Sequence, residues 1–263
     1  MVGAKPVFVD IDENYCIDPN EVDKVITPKT KAIIPVHLFG HAAQMDKLRN
    51  LSLEHNLSLI EDAAQAIGAT YDGRPLGTIG DCGVFSFNQS KHINTGEGGM
   101  LVTDNDKIAR VVRAVRNHAE TSDPELGIVG YNYRLGEIEA YLAYEQLQGL
   151  SDEIKARQDV ASYLTHSLLL NGFLVSYTFS SSYWSYAFRV KNREQVYERC
   201  KANGVILNKG YNEPLYHLPI YRKFGYQKGM CPVAERMWEE ELLVINMKGL
   251  TIKSAKIIID SIE

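Results

Sequence analysis

The chain has 263 residues, 45% hydrophobic and 23% charged, with a formal net charge of −5. This is ordinary globular composition, sufficient for a substantial core in one or two domains. The acidic balance leaves no general basic footprint for nucleic acid, although a local basic pocket for phosphates stays compatible with it. No apolar run is long enough to span a bilayer.

Met1 to Pro6 leads straight into an apolar stretch and carries no signal peptide, so cytoplasmic location is the default. Val7 to Asp12 reads as a short strand ending in acids. Asp18-Pro19-Asn20-Glu21 reads as a helix start, with Asp18 as cap, Pro19 at the first helical position and Glu21 closing the box. A strand over Lys31–Ile34 follows, then a helix over about Gln44–His55 with Met45, Leu48 and Leu51 on one side, then a strand over Leu57–Ile60. This alternation predicts a largely parallel sheet covered by helices, with sites beyond the carboxyl ends of the strands. Asp62 falls at one such end. Asp62-Ala63-Ala64-Gln65 also fits a helix capping box, with Gln65 as the reciprocal partner.

Asp72-Gly73 marks a hairpin turn. Strands at Cys82–Phe87 and Met100–Thr103 flank a polar loop carrying Lys91 and three glycines. Lys91 is either a solvated loop lysine or, if desolvated, a nucleophile toward carbonyls. Pyridoxal phosphate (PLP) enzymes need such a lysine for a Schiff base and an acid for the pyridine nitrogen. Asp62 and Lys91 each sit beside a predicted strand. A helix over Asp104–Asn117 follows. Its Arg110, Arg113 and Arg116, with His118, read as a solvated face or as an anion patch. Glu120 to Tyr133 reads as a loop with a turn at Asp123-Pro124. Helices are predicted over Leu135–Leu147 and Asp152–Leu170, and the Gly149-Leu150-Ser151 break divides a large domain, 1–149, from a smaller α+β domain, 150–263.

In that second part, strands are expected at Phe173–Tyr177, at Trp184–Val190 with clean alternation, at Val205–Leu207 and at Leu242–Ile245. Helices are expected over Arg193–Asn203, Cys231–Glu240 and Thr251–Ile262, with an irregular aromatic stretch over Asn212–Tyr226. Cys16, Cys82, Cys200 and Cys231 form no close pair, and reduced, buried thiols are the expectation. His37 and His41 have a spacing compatible with metal ligands, but no cysteine or carboxylate cluster completes a site, so no metal is expected.

Glu61-Asp62-Ala63-Ala64-Gln65-Ala66, Gly80-Asp81, Phe85-Ser86-Phe87 with Lys91, Thr95-Gly96-Glu97-Gly98-Gly99 and Gly130-Tyr131-Asn132-Tyr133-Arg134-Leu135 together resemble the DegT/DnrJ/EryC1/StrS family of PLP-dependent sugar aminotransferases. The resemblance continues from Ala140 to Gln146-Leu147 and runs over essentially the whole chain. It implies PLP-dependent transferase fold type I, aspartate aminotransferase-like, with a mostly parallel sheet in the large domain. It implies Lys91 as the imine-forming and proton-shuttling residue, Asp62 on the pyridine nitrogen and Gln65 beside the ring. It also implies Ser86 on the phosphate and Asn132 reaching a neighbour's phosphate across a homodimer interface. Taken locally, Ser86 is equally a strand hydroxyl bonded to backbone and Asn132 a loop turn residue.

The implied reaction moves an amino group, usually from glutamate, to a nucleotide-linked keto-sugar, in cell-surface polysaccharide or amino-sugar biosynthesis. Dehydratases of the same fold replace the lysine with histidine. Here His92 is only its neighbour, so amino transfer is favoured. Family members begin well before the stretch equivalent to Val7–Asp10, with a Gly-Thr phosphate-binding segment and first helices. That departure keeps open a catalytically silent remnant, or half of a split enzyme served by a complementing N-terminal polypeptide.

Overall fold

A computed structural model describes residues 2–120, 127–176, 178 and 180–262 of the chain. The Asp123-Pro124 turn and Tyr177, the end of one predicted strand, lie outside the described residues.

The first half follows the predicted alternation. Helix α1 (Pro19–Val25) starts on Asp18, whose carboxylate accepts the Asn20 N–H. Glu21 does not close the box; its carboxylate pairs with Lys24 one turn on. Strand β1 (Ala32–Ile33), helix α2 (Met45–Glu54) and strand β2 (Ser58–Asp62) come next. Met45 and Leu48 of α2 are buried against Ile33 and Leu59. Strands β3 (Thr70–Tyr71) and β4 (Arg74–Pro75) form a hairpin around Asp72 and Gly73. Both turn residues have positive φ, 48° and 76°, as a two-residue hairpin turn of this type requires. Strands β5 (Cys82–Ser86) and β6 (Gly99–Val102) bracket the lysine loop. The sheet order is β1-β2-β5-β6, with β1, β2 and β5 parallel and β6 antiparallel.

Helix α3 (Asp106–Arg116) is capped by Asn105, whose side chain accepts from Lys107 and Ile108. Helix α4 (Glu137–Gln148) and helix α5 (Leu150–Leu170) meet at Gly149. No residue of α4 is buried; Ile138, Tyr141, Leu142, Tyr144 and Leu147 are all exposed. Helix α5 serves two cores. Its start packs Leu150 and Ile154 on Phe87 and Ile93 of the lysine loop. Its later turns place Val160, Leu164 and Leu168 on a second sheet.

That sheet is the antiparallel set β7 (Leu174–Val175), β8 (Ser185–Arg189) and β9 (Leu242–Asn246). Helices α6 (Arg193–Ala202) and α9 (Ile252–Ile262) cover it with α5. Between them, α7 (Pro219–Arg222) and α8 (Pro232–Arg236) are single turns, and α8 runs on into a wider turn over Met237–Glu241.

Three expectations need correction. Val7–Asp12 is extended but forms no strand; only Ile11 bridges, to Ile17. Asp10 instead accepts the Val233 and Ala234 N–H groups at the start of α8, so its carboxylate works as a long-range cap. Val205–Leu207 is not a strand either; the single backbone bridge falls one residue later, from Asn208 to Val244. The alternation read over Trp184–Val190 does not translate into one wet face. All five residues of β8 are buried, because it is the central strand of three with both faces covered.

Candidate active site

Strands β2 and β5 are neighbours, with Asp62 in register with Val84. Loops leaving their carboxyl ends therefore emerge side by side. At the end of β2, the Asp62 N–H donates to the Pro35 carbonyl and its own carbonyl accepts the His37 N–H. The Asp62 carboxylate accepts the Ala64 N–H at 3.1 Å.

No helix follows Asp62, which corrects the capping-box reading. Ala66 bonds back to Ala63 and Ala69 to Ala66, three-residue turns rather than helical bonds. The Ala63 N–H is taken by Val84 of the neighbouring strand, and Ala63, Ala66 and Ala69 are buried in the core beneath. Gln65 is therefore no box partner. It is buried, its Oε1 accepts the Phe39 N–H at 2.8 Å and its Nε2 donates to the Tyr211 hydroxyl at 2.8 Å. Both ends of the amide are engaged, so its plane is fixed. Phe39 itself is held at φ 59°, a conformation uncommon for an aromatic residue.

Ser86 ends β5, half-buried, with its Oγ accepting the Asn88 N–H at 3.3 Å. That leaves its hydroxyl proton free to donate. The loop beyond is clasped shut: Phe87 N–H donates to Gly98, Gln89 to Gly96 and Thr95 to Phe87. From outside, the Gln146 amide of α4 bonds both the N–H and the carbonyl of Asn94. Lys91 is half-buried in this frame. Burial pushes its ammonium pKa below the ordinary 10.5, while the Asp62 carboxylate pulls the other way. His92 points elsewhere. Its Nε2 lies 2.9 Å from the Ser182 carbonyl, and burial, with Arg157 beside it, pushes its pKa down to about 4. A neutral ring donating to that carbonyl is a structural anchor.

Asp62, Gln65, Ser86 and Lys91 thus come from the loops and strand ends at one edge of the parallel sheet. Asn132 does not join them. It is exposed, its Oδ1 accepts from Arg134 at 3.1 Å and its backbone bridges to Asn117.

Sequence reasoning missed a buried hub behind the site. Glu61, fully buried, accepts the N–H groups of Gly77, Ile79 and Gly80 at 2.8, 2.6 and 2.7 Å, and lies 3.0 Å from His37 Nε2. The Ala43 N–H donates to His37 Nδ1, so the ring proton is on Nε2 and donates to Glu61. Burial raises the Glu61 pKa, but the bonds from His37 and the glycine N–H groups outweigh it and hold it below 4.5. An acid inside an apolar strand was the available signal, since such a group must be paired. Both His37 ring nitrogens are committed, and the His41 ring is packed against Tyr15 and Tyr183. The histidine spacing that resembled metal ligands therefore serves packing and the hub.

The donor set suits PLP: a desolvated lysine, a carboxylate within its electrostatic reach, a free hydroxyl proton on the adjacent strand and an amide of fixed plane. These features define a PLP-dependent transferase of fold type I. The DegT/DnrJ/EryC1/StrS aminotransferase family model matches residues 1–263, and the chain belongs to that family. It is 37% identical over 234 residues to a GDP-perosamine synthase of Caulobacter vibrioides, covering 83% of this chain and 62% of that protein. It is 34% identical over 263 residues to a UDP-2-acetamido-2-deoxy-3-oxo-D-glucuronate aminotransferase of Pseudomonas aeruginosa, covering 98% of this chain and 72% of that protein. The solved structure of S. venezuelae DesV in complex with a ketimine intermediate superposes with TM-score 0.91 at 32% identity, over 99% of this chain and 72% of that one. The chain thus spans 62% and 72% of the lengths of these two curated relatives. Among the described residues, no helix is long and apolar enough to cross a membrane.

Proposed function

We propose that this chain transfers an amino group, with glutamate as donor, to a nucleotide-linked keto-sugar in amino-sugar or polysaccharide synthesis. The observation that supports this reading best is the half-buried Lys91 within the field of Asp62 at the sheet edge. PLP, when bound, supplies the electron sink for the exchange of amine and carbonyl. Lys91 would hold the cofactor covalently and, when displaced, would carry the proton to and from the substrate carbon. Asp62 keeps a proton on the pyridine nitrogen by charge. The Ser86 hydroxyl would serve the phosphate, and the Gln65 amide would sit beside the ring. Residues 1–149 supply these groups in this reading, and Tyr211, from residues 150–263, bonds the Gln65 amide.

The proposal includes a homodimer in which Asn132 serves the partner's phosphate. Its support is the exposed apolar side chains of α4, together with Val129, Tyr131 and Tyr133 before it. Such a surface is unusual on a monomer.

The test is an assay with glutamate and a panel of nucleotide-linked keto-sugars, reading 2-oxoglutarate and amino-sugar together in equal amounts. In the same assay, a mixture of Lys91→Ala and Asn132→Ala chains should regain activity that neither has alone. Cofactor binding without transfer to any keto-sugar would instead favour a silent subunit. No recovery on mixing, with subunit exchange confirmed, would refute the shared site.

A further inference from the structure

Lys91 has a neighbour from a distant part of the chain that no motif predicts. Trp184 precedes β8, in the second half of the chain. Its indole Nε1–H donates to the Ser90 carbonyl at 2.7 Å, and the Lys91 Nζ lies 4.7 Å from the centre of its ring. The segment carrying it is held from several sides. Ser181 Oγ and the Ser182 N–H bond the Gly40 carbonyl. His92 is bonded to the Ser182 carbonyl, and Arg157 of α5 donates to the Tyr183 and Trp184 carbonyls while pairing with Glu153. Gly40 is at φ +95°, and a Cβ there would meet the Tyr183 nitrogen at 2.8 Å. The backbone that carries the indole is therefore pinned, and the Ser90 bond orients the ring.

From this geometry we propose that Trp184 is a positioning residue for Lys91, its ring face holding the ammonium by a cation–π contact and its N–H fixing the loop. The inference rests on Lys91 being the cofactor-bearing lysine. An ammonium over an indole face is stabilised, most strongly when partly desolvated. The contact opposes the desolvation that favours the neutral amine, and Asp62 acts in the same direction as Trp184. The other charged or titratable groups about the loop include His92, Arg157 with Glu153, Glu97, whose carboxylate accepts from the Asn88 amide, and Lys248, whose Nζ reaches the Gln89 carbonyl. The site therefore has two separate means of parking a displaced lysine: one carboxylate and one aromatic face. The face comes from the segment leading into β8, so the lysine's proton affinity depends on how that segment is seated.

The test reads the Lys91 pKa in the full, cofactor-free chain by competitive acetylation across pH with peptide mass mapping. Trp184→Leu should lower that pKa by about half a unit to one unit, the shift expected from losing a cation–π contact. Trp184→Phe also lacks the N–H but keeps a ring face, and should fall less. A fluorotryptophan series in a Trp238→Phe background keeps shape and N–H while draining the ring face. The Lys91 pKa should fall stepwise with each added fluorine. An unchanged pKa across that series, or equal shifts in Leu and Phe, would overturn the proposal and leave only the Ser90 bond. Borohydride mapping of the cofactor reports separately on whether Lys91 carries it, so failure of that assignment is distinguishable.

Discussion

Asp62→Asn is expected to slow amino transfer by about 10²- to 10³-fold, the scale of removing one preorganised electrostatic group, with little loss of stability. Asparagine is nearly isosteric, and its side-chain oxygen can still accept the Ala64 N–H that the carboxylate accepts now. The main-chain bonds to Pro35 and His37 are independent of the side chain. What disappears is the charge. On the proposed reading the pyridine nitrogen would no longer be kept protonated, and Lys91 loses a carboxylate that raises its pKa against burial. The measurement is the rate of the glutamate half-reaction beside the thermal midpoint. A near-normal rate would mean that Asp62 only closes the turn at Ala64.

Glu61→Gln is expected to do the reverse, with a large loss of stability. The buried carboxylate accepts from four donors: Gly77, Ile79, Gly80 and His37. Glutamine brings one oxygen and an NH₂ group that faces donors, leaving some of them unmet. Each buried unsatisfied group costs about 1–3 kcal/mol, and more than one of the four donors loses its acceptor. A loss of about 3 kcal/mol or more in urea unfolding at pH 7 is the expected result. The sign of the pH dependence follows from a folded pKa held below 4.5. Glu61 binds its proton less readily in the folded chain, so its contribution is complete above about 4.5 and fades as pH falls through the lower folded value. The gap between the two proteins should narrow in that acid window. A difference under about 1 kcal/mol at pH 7 would show that the loop at Gly77–Gly80 finds other acceptors.

Much of this was legible because it is local. Asp18-Pro19 starts a helix through its own cap and fixed φ, and Asp72-Gly73 turns a hairpin through two positive-φ residues. The lysine loop stood out as a polar loop between two apolar strands. What could not be read depends on partners far away. Asp62-Ala63-Ala64-Gln65 satisfies a helix box and a turn equally well; Val84, on the next strand, decides by taking the Ala63 N–H. Asp10 reads as the end of a strand until α8 arrives more than two hundred residues later to use it as a cap. The same holds for Trp184, which meets the lysine loop across 94 positions. Asn132 is a different case, since its contacts within the chain, to Arg134 and Asn117, say nothing of a cofactor.

Everything proposed for the site turns on Lys91 bearing the cofactor, which chemical trapping reads without an assay of turnover. The PLP-loaded chain is reduced with borohydride, digested and mapped by mass spectrometry. A pyridoxyl group on Lys91 and on no other of the chain's lysines is the expected result. A label on a different lysine, or no label in a chain that demonstrably binds the cofactor, would contradict it.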